Sequence, residues 1–534
     1  MDCSSKRLKG ALKLILINSS PKNALKIFQP FLPIFVPVGI GCLMGTLQQR
    51  GIEAKVVDEQ IEDHVLDLIG SHVKRMDPPY IFGFSVLTAA LRSAILISKH
   101  LRERYPDSVI LFGGVHPTAM PEEILSFDHI DYVLKGEAES SLVEFYKCIK
   151  NGKDVRHIEN LCYRDNNGIV QNERVFLSES LDLERYPFFP YHLFDPDRYD
   201  LGFVISSRGC PYQCIFCSNR ITTGRKFRFR KAEAVVEEID LLYHRFKKRY
   251  VLFLDDNFLV DKGRIYRLME EIRKKGLDNK MTFKFQARGD NVDSELLEEM
   301  YKTGFRSIFF GLETASEEIM KAIKKGETVA QCVEAVRMAK KIGFHVSATF
   351  IYGLPGETRR DRMDCVRLSR ELKLDMVRYN NSTPYPGTEL YEIAKKENRL
   401  HIKGLYENFV SVSTFIENPL KTIPFSYVPK DNTEEEIRRD ILFSYFNFYL
   451  NVEKLKLIFT RPEQGVGWFN TGERLKEIVC KAPPLIFLGF MLWIKFFQLF
   501  YYSVVKKETA ISLGFFLKVF DGLLFGKKIQ KHKD

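Results

Sequence analysis

At 534 residues the chain is too long for one hydrophobic core, so two or three domains are expected. Its formal net charge of +11 suits nucleic acid, a membrane surface or an anionic substrate, but no long Lys/Arg run lies in the body of the chain, which sets nucleic acid aside. The 10 cysteines lack the spacing of a disulfide framework, and the 43 phenylalanines belong to an ordinary globular composition.

Residues 8–150 alternate short apolar runs with amphipathic stretches. The runs fall at 12–17, 54–57, 80–85, 109–112 and 132–134; helix-like stretches lie between them at 38–50, 63–75 and 91–104, and a last one follows at 140–151. Buried strands separated by helices predict a parallel, doubly wound, Rossmann-like sheet. The run at 12–17 is short, lacks a small-residue cleavage site and reads as a first strand rather than a signal peptide. Residues 151–200 form an irregular linker with a hairpin-like Asn-Asn-Gly at 166–168.

A second βα series occupies 201–400. Strands are predicted at 203–207, 250–254, 282–287, 307–312, 345–351 and 376–380. Helices are predicted at 232–246, 263–274, 294–302, 329–341, 360–372 and 389–396. Six such units are fewer than the eight that close a full barrel, and ligand sites in such folds lie at the C-terminal ends of strands.

The loop after the first of these strands reads Ser-Ser-Arg-Gly-Cys210-Pro-Tyr-Gln-Cys214-Ile-Phe-Cys217. Three thiolates on one tight loop can hold three irons of a cubane cluster that normally takes four cysteines, leaving one iron open. The alternative is a zinc knuckle. Zinc wants four N/S ligands, yet the next His is His244 and the next Cys is Cys332.

This C-x3-C-x2-C loop resembles the signature of the radical S-adenosylmethionine (SAM) superfamily. The resemblance implies a partial (βα)6 barrel and a 4Fe-4S cluster on Cys210, Cys214 and Cys217. It also implies SAM chelated to the open iron and split to methionine and a 5′-deoxyadenosyl radical, which abstracts hydrogen from unactivated carbon. Phe216 fits the family's aromatic against the adenine. Asp256 supports the methionine amino group, Arg288 meets an anionic group, Glu313 lies near the methionine or ribose, and Gly353 opens the turn along the adenine. An electron donor of flavodoxin or ferredoxin type and a reducing cytosol follow from such a cluster.

Ser85 and Thr88 follow the third strand of residues 8–150, Gly113, Gly114 and His116 the fourth, and Gly136 and Glu137 the fifth. Glycines at strand ends let a cofactor approach the backbone. Together they resemble the cobalamin-binding domain fused ahead of radical SAM barrels, and so imply cobalamin. One departure stands out. Cobalt-ligating domains carry Asp-x-His, whereas this chain reads Asp58-Glu-Gln60, with His64 in an acidic stretch expected to face solvent. A cofactor-free Rossmann-like domain is the alternative.

Residues 401–534 are predicted to be helical. An apolar segment at 484–505 is broken by Lys495 and Gln498; a second lies at 511–525, and the end, 527–533, is basic. The length suits a bilayer, but Lys495 opposes a simple span. Trp493, Tyr501, Tyr502 and the lysines favour helices lying on an anionic leaflet; a helical cap over the barrel is the alternative.

The resemblance thus implies methylation, or oxidative ring closure as in the anaerobic magnesium-protoporphyrin ester cyclase, and the apolar C-terminal segment hints at a hydrophobic or lipid substrate. Cobalamin-independent radical chemistry (carbon–carbon coupling or methylthiolation) and a non-enzymatic iron–sulfur or cobalamin sensor are the other readings.

Overall fold

The structure is a computed structural model of the 534-residue chain. It describes residues 13–21, 34–74, 79–175, 186–416, 422–449, 475–505 and 516–517. The chain divides into two compact units. One comprises Met1–Asn23, Pro33–Met281 and Pro384–Phe409; the other comprises Ala24–Leu32, Thr282–Thr383 and Val410–Asp534.

The first unit opens with a seven-stranded sheet of order β2-β1-β3-β4-β5-β6-β7. Its strands are β1 (Lys13–Asn18), β2 (Ala54–Asp58), β3 (Tyr80–Ser85), β4 (Val109–Gly113), β5 (Tyr132–Leu134), β6 (Leu161–Asp165) and β7 (Gly168–Gln171). The first five pair in parallel, with helices α1 (Val38–Gln49), α2 (Val65–Val73) and α3 (Leu91–Arg104) as crossovers. Successive side chains of a strand point to opposite faces. Ile15 and Ile17 therefore join one buried cluster with Phe82, Phe84 and Phe112, while Leu14 and Leu16 join another with Ile81 and Leu111. Both faces are covered, as a parallel sheet requires. The hairpin β6–β7 adds two antiparallel strands. It carries the sheet past the expected boundary at 150, into what reads as linker in the sequence, because helix α4 (Glu139–Lys150) returns the chain to the edge of β5. Part of that linker, 176–185, lies outside the described residues.

All six strands expected of the second βα series are present. In the first unit β8 (Phe203–Val204) pairs in parallel with β11 (Tyr250–Phe253). Between them β9 (Ser207–Arg208) and β10 (Arg228–Phe229) form a short antiparallel pair flanking the cysteine loop. Helices α5 (Ala232–His244) and α6 (Lys262–Lys274) follow.

The second unit holds β12 (Thr282–Ala287), β13 (Phe305–Glu313), β14 (His345–Tyr352) and β15 (Met376–Asn381), paired in parallel in that order. Its helices are α7 (Ser294–Lys302), α8 (Val329–Ile342) and α9 (Arg359–Glu371). Thr328 and Thr358 start α8 and α9 with reciprocal capping boxes, and Gly343, at φ 112°, ends α8 in the left-handed conformation. Two further helices, α10 (Glu434–Tyr449) and α11 (Leu475–Phe500), pack together through Leu442, Phe446, Phe496 and Leu499. Among the described residues no helix is long and apolar enough to cross a membrane. Most of 511–525 and all of 527–533 lie outside the described residues.

Candidate functional site

The cysteine loop is held by two neighbouring aspartates at the end of β11. Asp255 accepts hydrogen bonds from the Ser206 amide (2.8 Å) and from the Ser206 (2.6 Å) and Ser207 (2.5 Å) hydroxyls. Arg264 on α6 stands 3.1 Å from the same carboxylate and 2.7 Å from Ser206 Oγ, so this buried charge is paired. Asp256 accepts from the Gly209 amide (2.9 Å), Thr223 Oγ1 (2.7 Å) and Asn219 Nδ2 (2.8 Å), donors that bracket the loop from just before Cys210 to beyond Cys217. Burial pushes the Asp256 carboxyl up from its usual range, opposed by those donors. Gly209 has φ 85°, and a β-carbon there would lie 2.2 Å from the Lys226 carbonyl oxygen. Only glycine fits.

Cys210, Cys214 and Cys217 are half-buried, whereas Cys42, Cys148, Cys162, Cys332 and Cys365 are buried. The loop thus carries the three more accessible of the described cysteines. Burial pushes the Cys217 thiol up to about 11, with the Asn219 amide lowering it and the neighbouring Cys214 and Cys210 thiols raising it. Thiols that raise one another in this way are relieved by a bound cation, which deprotonates them. Among the described residues no three His, Cys, Asp or Glu side chains gather around a point suited to one metal ion. A cubane places its thiolates on separate irons.

Beside this loop the first unit contains a cavity of about 360 Å³. Ser85, Gly113, Gly114, Gly136 and Glu137 line it from the ends of β3, β4 and β5; Arg208, Thr223 and Asp256 line it from the cysteine-loop side. The cavity is of a size for a small-molecule or cofactor site. Gly114 (φ 95°) needs to be glycine, since a β-carbon would lie 2.8 Å from the Val86 amide nitrogen.

Two of the residues expected near cobalamin are not among those lining the cavity: Thr88 and His116. Thr88 is buried in a short 3-10 turn, Thr88–Ala90. The His116 ring is fully buried 4.8 Å from the Tyr406 ring, its Nε2 3.9 Å from Glu123, and burial pushes it down to about 4. His64 is exposed, as expected, and the Gln60 backbone amide donates to Asp58 Oδ1 (2.9 Å), with its side-chain Nε2 3.2 Å from Asp58 Oδ2.

Glu137 is engaged by two arginines. Arg208 Nη1 lies 3.1 Å from Oε1 and Arg228 Nη1 2.6 Å from Oε2. Arg208 also meets Glu139 at 2.9 Å and the Tyr186 hydroxyl at 2.9 Å. Nothing in the sequence pairs these residues. Glu137 lies 71 positions from Arg208 and 91 from Arg228, and they meet because the fold brings the β9–β10 pair beside the loop after β5.

In the second unit the remaining SAM candidates stand at strand ends. Arg288, past β12, makes paired 2.9 Å bonds to Asp290 and donates to the Lys325 carbonyl at 2.6 Å. Glu313 closes β13 with φ 63°, a strained setting for a residue with a side chain. Its Oε1 takes Lys325 Nζ at 3.1 Å, and its buried Oε2 has no hydrogen-bond partner. Gly353 (φ 81°) donates to Glu357 at 2.5 Å; burial pushes that carboxyl up to about 8, with Arg362 lowering it. Arg362 is committed more closely to Asp440 on α10, at 2.8 Å against 3.4 Å to Glu357. Sequence reading missed Asn380 Oδ1 and Ser382 Oγ, at and just past the end of β15, which are likewise buried without a partner. Their signal was available: polar residues at the C-terminal end of a predicted βα strand. Phe216 is half-buried within the cysteine loop.

A parallel cofactor-type domain with glycine-lined strand ends, followed by a three-cysteine loop on a second βα series, defines a radical SAM protein with an attached corrinoid domain. Comparison with known proteins agrees. Residues 204–369 match the radical SAM superfamily, and residues 29–146 match the B12 binding domain. An uncharacterized methyltransferase of Pyrococcus horikoshii is 30% identical over 424 residues, covering 78% of this chain and 89% of that protein. The anaerobic magnesium-protoporphyrin IX monomethyl ester cyclase of Cereibacter sphaeroides is 24% identical over 443 residues, 81% of this chain and 69% of that one. Among solved structures, the cobalamin-dependent S-adenosylmethionine radical enzyme OxsB, with aqua-cobalamin and S-adenosylmethionine bound, shares the fold. Its TM-score is 0.66 at 16% identity, over 97% of this chain and 84% of that one. The chain belongs to the cobalamin-dependent radical SAM family of methyltransferases and cyclases. Its cofactors are those of the two domains: a 4Fe-4S cluster with SAM, and cobalamin.

Proposed function

We propose that the protein methylates an unactivated carbon of a hydrophobic or lipid substrate, at the inner face of the cytoplasmic membrane, with electrons from a flavodoxin- or ferredoxin-type donor. One observation carries the methylation reading. The strand-end glycines of the first domain and the Asp256 side of the cysteine loop line a single cavity, so corrinoid chemistry and cluster chemistry face a shared space.

When bound, the reduced cluster supplies an electron to SAM and cobalamin supplies a methyl group. Every other task falls to the chain. Cys210, Cys214 and Cys217 hold three irons, and Asp256 keeps their loop closed through Gly209, Asn219 and Thr223. Gly113, Gly114 and Gly136, which line the cavity, would let a corrinoid approach the backbone, and Gln60 would offer it no imidazole. Glu313, with one buried oxygen that has no hydrogen-bond partner, would accept from SAM. Arg288, held on the Lys325 carbonyl, would orient the edge of that site, and Phe216 in the first unit and Gly353 in the second are the residues that the family resemblance gives to the adenine. The apolar segment 484–505 and the basic end of the chain support the membrane placement and the hydrophobic substrate.

Anaerobically reconstituted protein is expected to bind about four irons, retain a corrinoid and release 5′-deoxyadenosine. Cys214→Ala should lose iron and SAM cleavage while keeping the corrinoid. Iron-free protein that binds zinc tightly would sink the reading. The 24% identity to the magnesium-protoporphyrin cyclase favours ring closure as a second reading. SAM carrying a deuterated methyl group separates the two, because only methylation delivers the label to product.

A further inference from the structure

Helix α11 presents two unlike faces. Ile486, Phe490, Trp493, Phe497 and Tyr501 are exposed, Ile486 at 73% and Phe490 at 60%. At 100° per residue these five fall within an arc of roughly 80°. Met491, Lys495, Phe496 and Leu499 are buried on the other side, with Phe496 and Leu499 packed against Leu442 and Phe446 of α10. The one charge in the middle of the apolar segment belongs to this docked side: Lys495 Nζ donates to the Thr414 carbonyl at 2.6 Å. The exposed stripe is therefore apolar without interruption. Val505, in the π-turn Tyr501–Val505, extends it at 60% exposure.

A patch of this length on a soluble surface marks an interaction site. Its chemistry names the occupant. An indole and a phenol sit among aliphatic and phenyl groups, the mixture that prefers the boundary between headgroups and acyl chains. Lys506 and Lys507 follow directly in the sequence, and Lys527, Lys528, Lys531 and Lys533 close it. Basic residues beside an apolar stripe complement an anionic lipid surface. A second protein copy offers no such charge match, since each copy carries +11.

We propose that the stripe from Ile486 to Val505 is a membrane-docking surface, on which α11 lies flat in the interface of an anionic leaflet while its other face stays on α10. The inference names the surface for the membrane placement proposed above and rests on it, but it is independent of the radical chemistry.

The test is sedimentation of the full-length protein with vesicles of phosphatidylcholine containing phosphatidylglycerol, against phosphatidylcholine alone. The parent should bind the anionic vesicles, and high salt should release it only in part, because apolar burial survives screening. Combined Phe490→Gln, Trp493→Gln and Phe497→Gln should lower partitioning by about tenfold or more without altering the circular dichroism melt. In a Trp468→Phe background, Trp493 emission should shift to the blue on adding anionic vesicles and be quenched by brominated acyl chains, a readout that needs no destabilising variant. If the triple variant binds as the parent does, the stripe is not the docking surface, although membrane placement stands. If neither binds, both fail. Light scattering that shows a dimer, abolished by the triple substitution and without vesicle binding, assigns the stripe to a second copy. Trp493 already blue-shifted in the monomer without lipid assigns it to the chain's own C-terminal segment. Either result overturns the proposal.

Discussion

Replacing Glu137 by Gln removes one charge from a buried group of four. The Glu137 side chain is 4% exposed, Arg228 is 5% and Arg208 is 12%. Arg208 keeps Glu139 and Tyr186 after the change, but Arg228 keeps only the backbone carbonyls of Thr223 and Lys226. Its guanidinium then has no carboxylate. Breaking a buried pair from one side costs about 3–5 kcal/mol, and a glutamine that still accepts a hydrogen bond belongs at the low end, about 3 kcal/mol. For a cooperative unit the size of the first, that lowers the melting midpoint by about 5 °C. Adding Arg228→Met, which removes the stranded charge, should recover a large part of the loss, so the pair of substitutions is less harmful than the sum. Differential scanning fluorimetry of the four proteins measures this directly. Corrinoid retention, titrated well below the lowered midpoint, should hold close to parent, because both carboxylate oxygens of Glu137 are engaged by arginines. A variant that melts with the parent yet loses its corrinoid would refute the reasoning and make Glu137 a cofactor contact.

Three further outcomes follow from the site and its surroundings. Gly209→Ala places a β-carbon 2.2 Å from the Lys226 oxygen at a φ of 85°, so iron per chain after reconstitution should fall sharply while the far-ultraviolet spectrum stays close to parent. His116, pushed by burial to about 4 from 6.5, must charge when the chain unfolds in mild acid. Its contribution is whole above pH 6.5 and is lost as pH falls toward 4, on the order of 3 kcal/mol, so His116→Phe should flatten that limb of a denaturation midpoint–pH curve. Glu357 has the opposite sign: its carboxyl is raised to about 8 from 4.5, so its share is whole below pH 4.5 and is lost as pH rises through 8. Glu357→Gln should level the alkaline side of the same curve.

The elements legible in the sequence are those set by short-range pattern. The five parallel strands of the first sheet fall where apolar runs stand between amphipathic stretches, within a residue or two at their ends. The cysteine loop is legible because one loop carries all its ligands. What the sequence hides is decided at long range. Thr88 and His116 follow strand ends as cofactor residues do, yet the short turns after β3 and β4 rotate them inward. The hairpin β6–β7 reads as linker because its polar alternation, Arg164-Asp165 against Gly168-Ile169, belongs to a half-exposed antiparallel edge. Nothing in the sequence around Arg208 marks its partners, Glu137 and Glu139, which follow β5.

Lys495 has a meaning that a hydropathy average conceals. A helix that is apolar nearly all round has no strong preference for which side meets its neighbour, and it can roll. One ammonium group that must reach the Thr414 carbonyl removes that freedom. A turn of the helix by a quarter would take the ammonium off that carbonyl, which is costly for a buried charge. The lysine thus fixes the azimuth of α11 like a detent on a shaft, and in related chains the position of such a lysine should tell which side of the helix is docked and which is left to its surroundings.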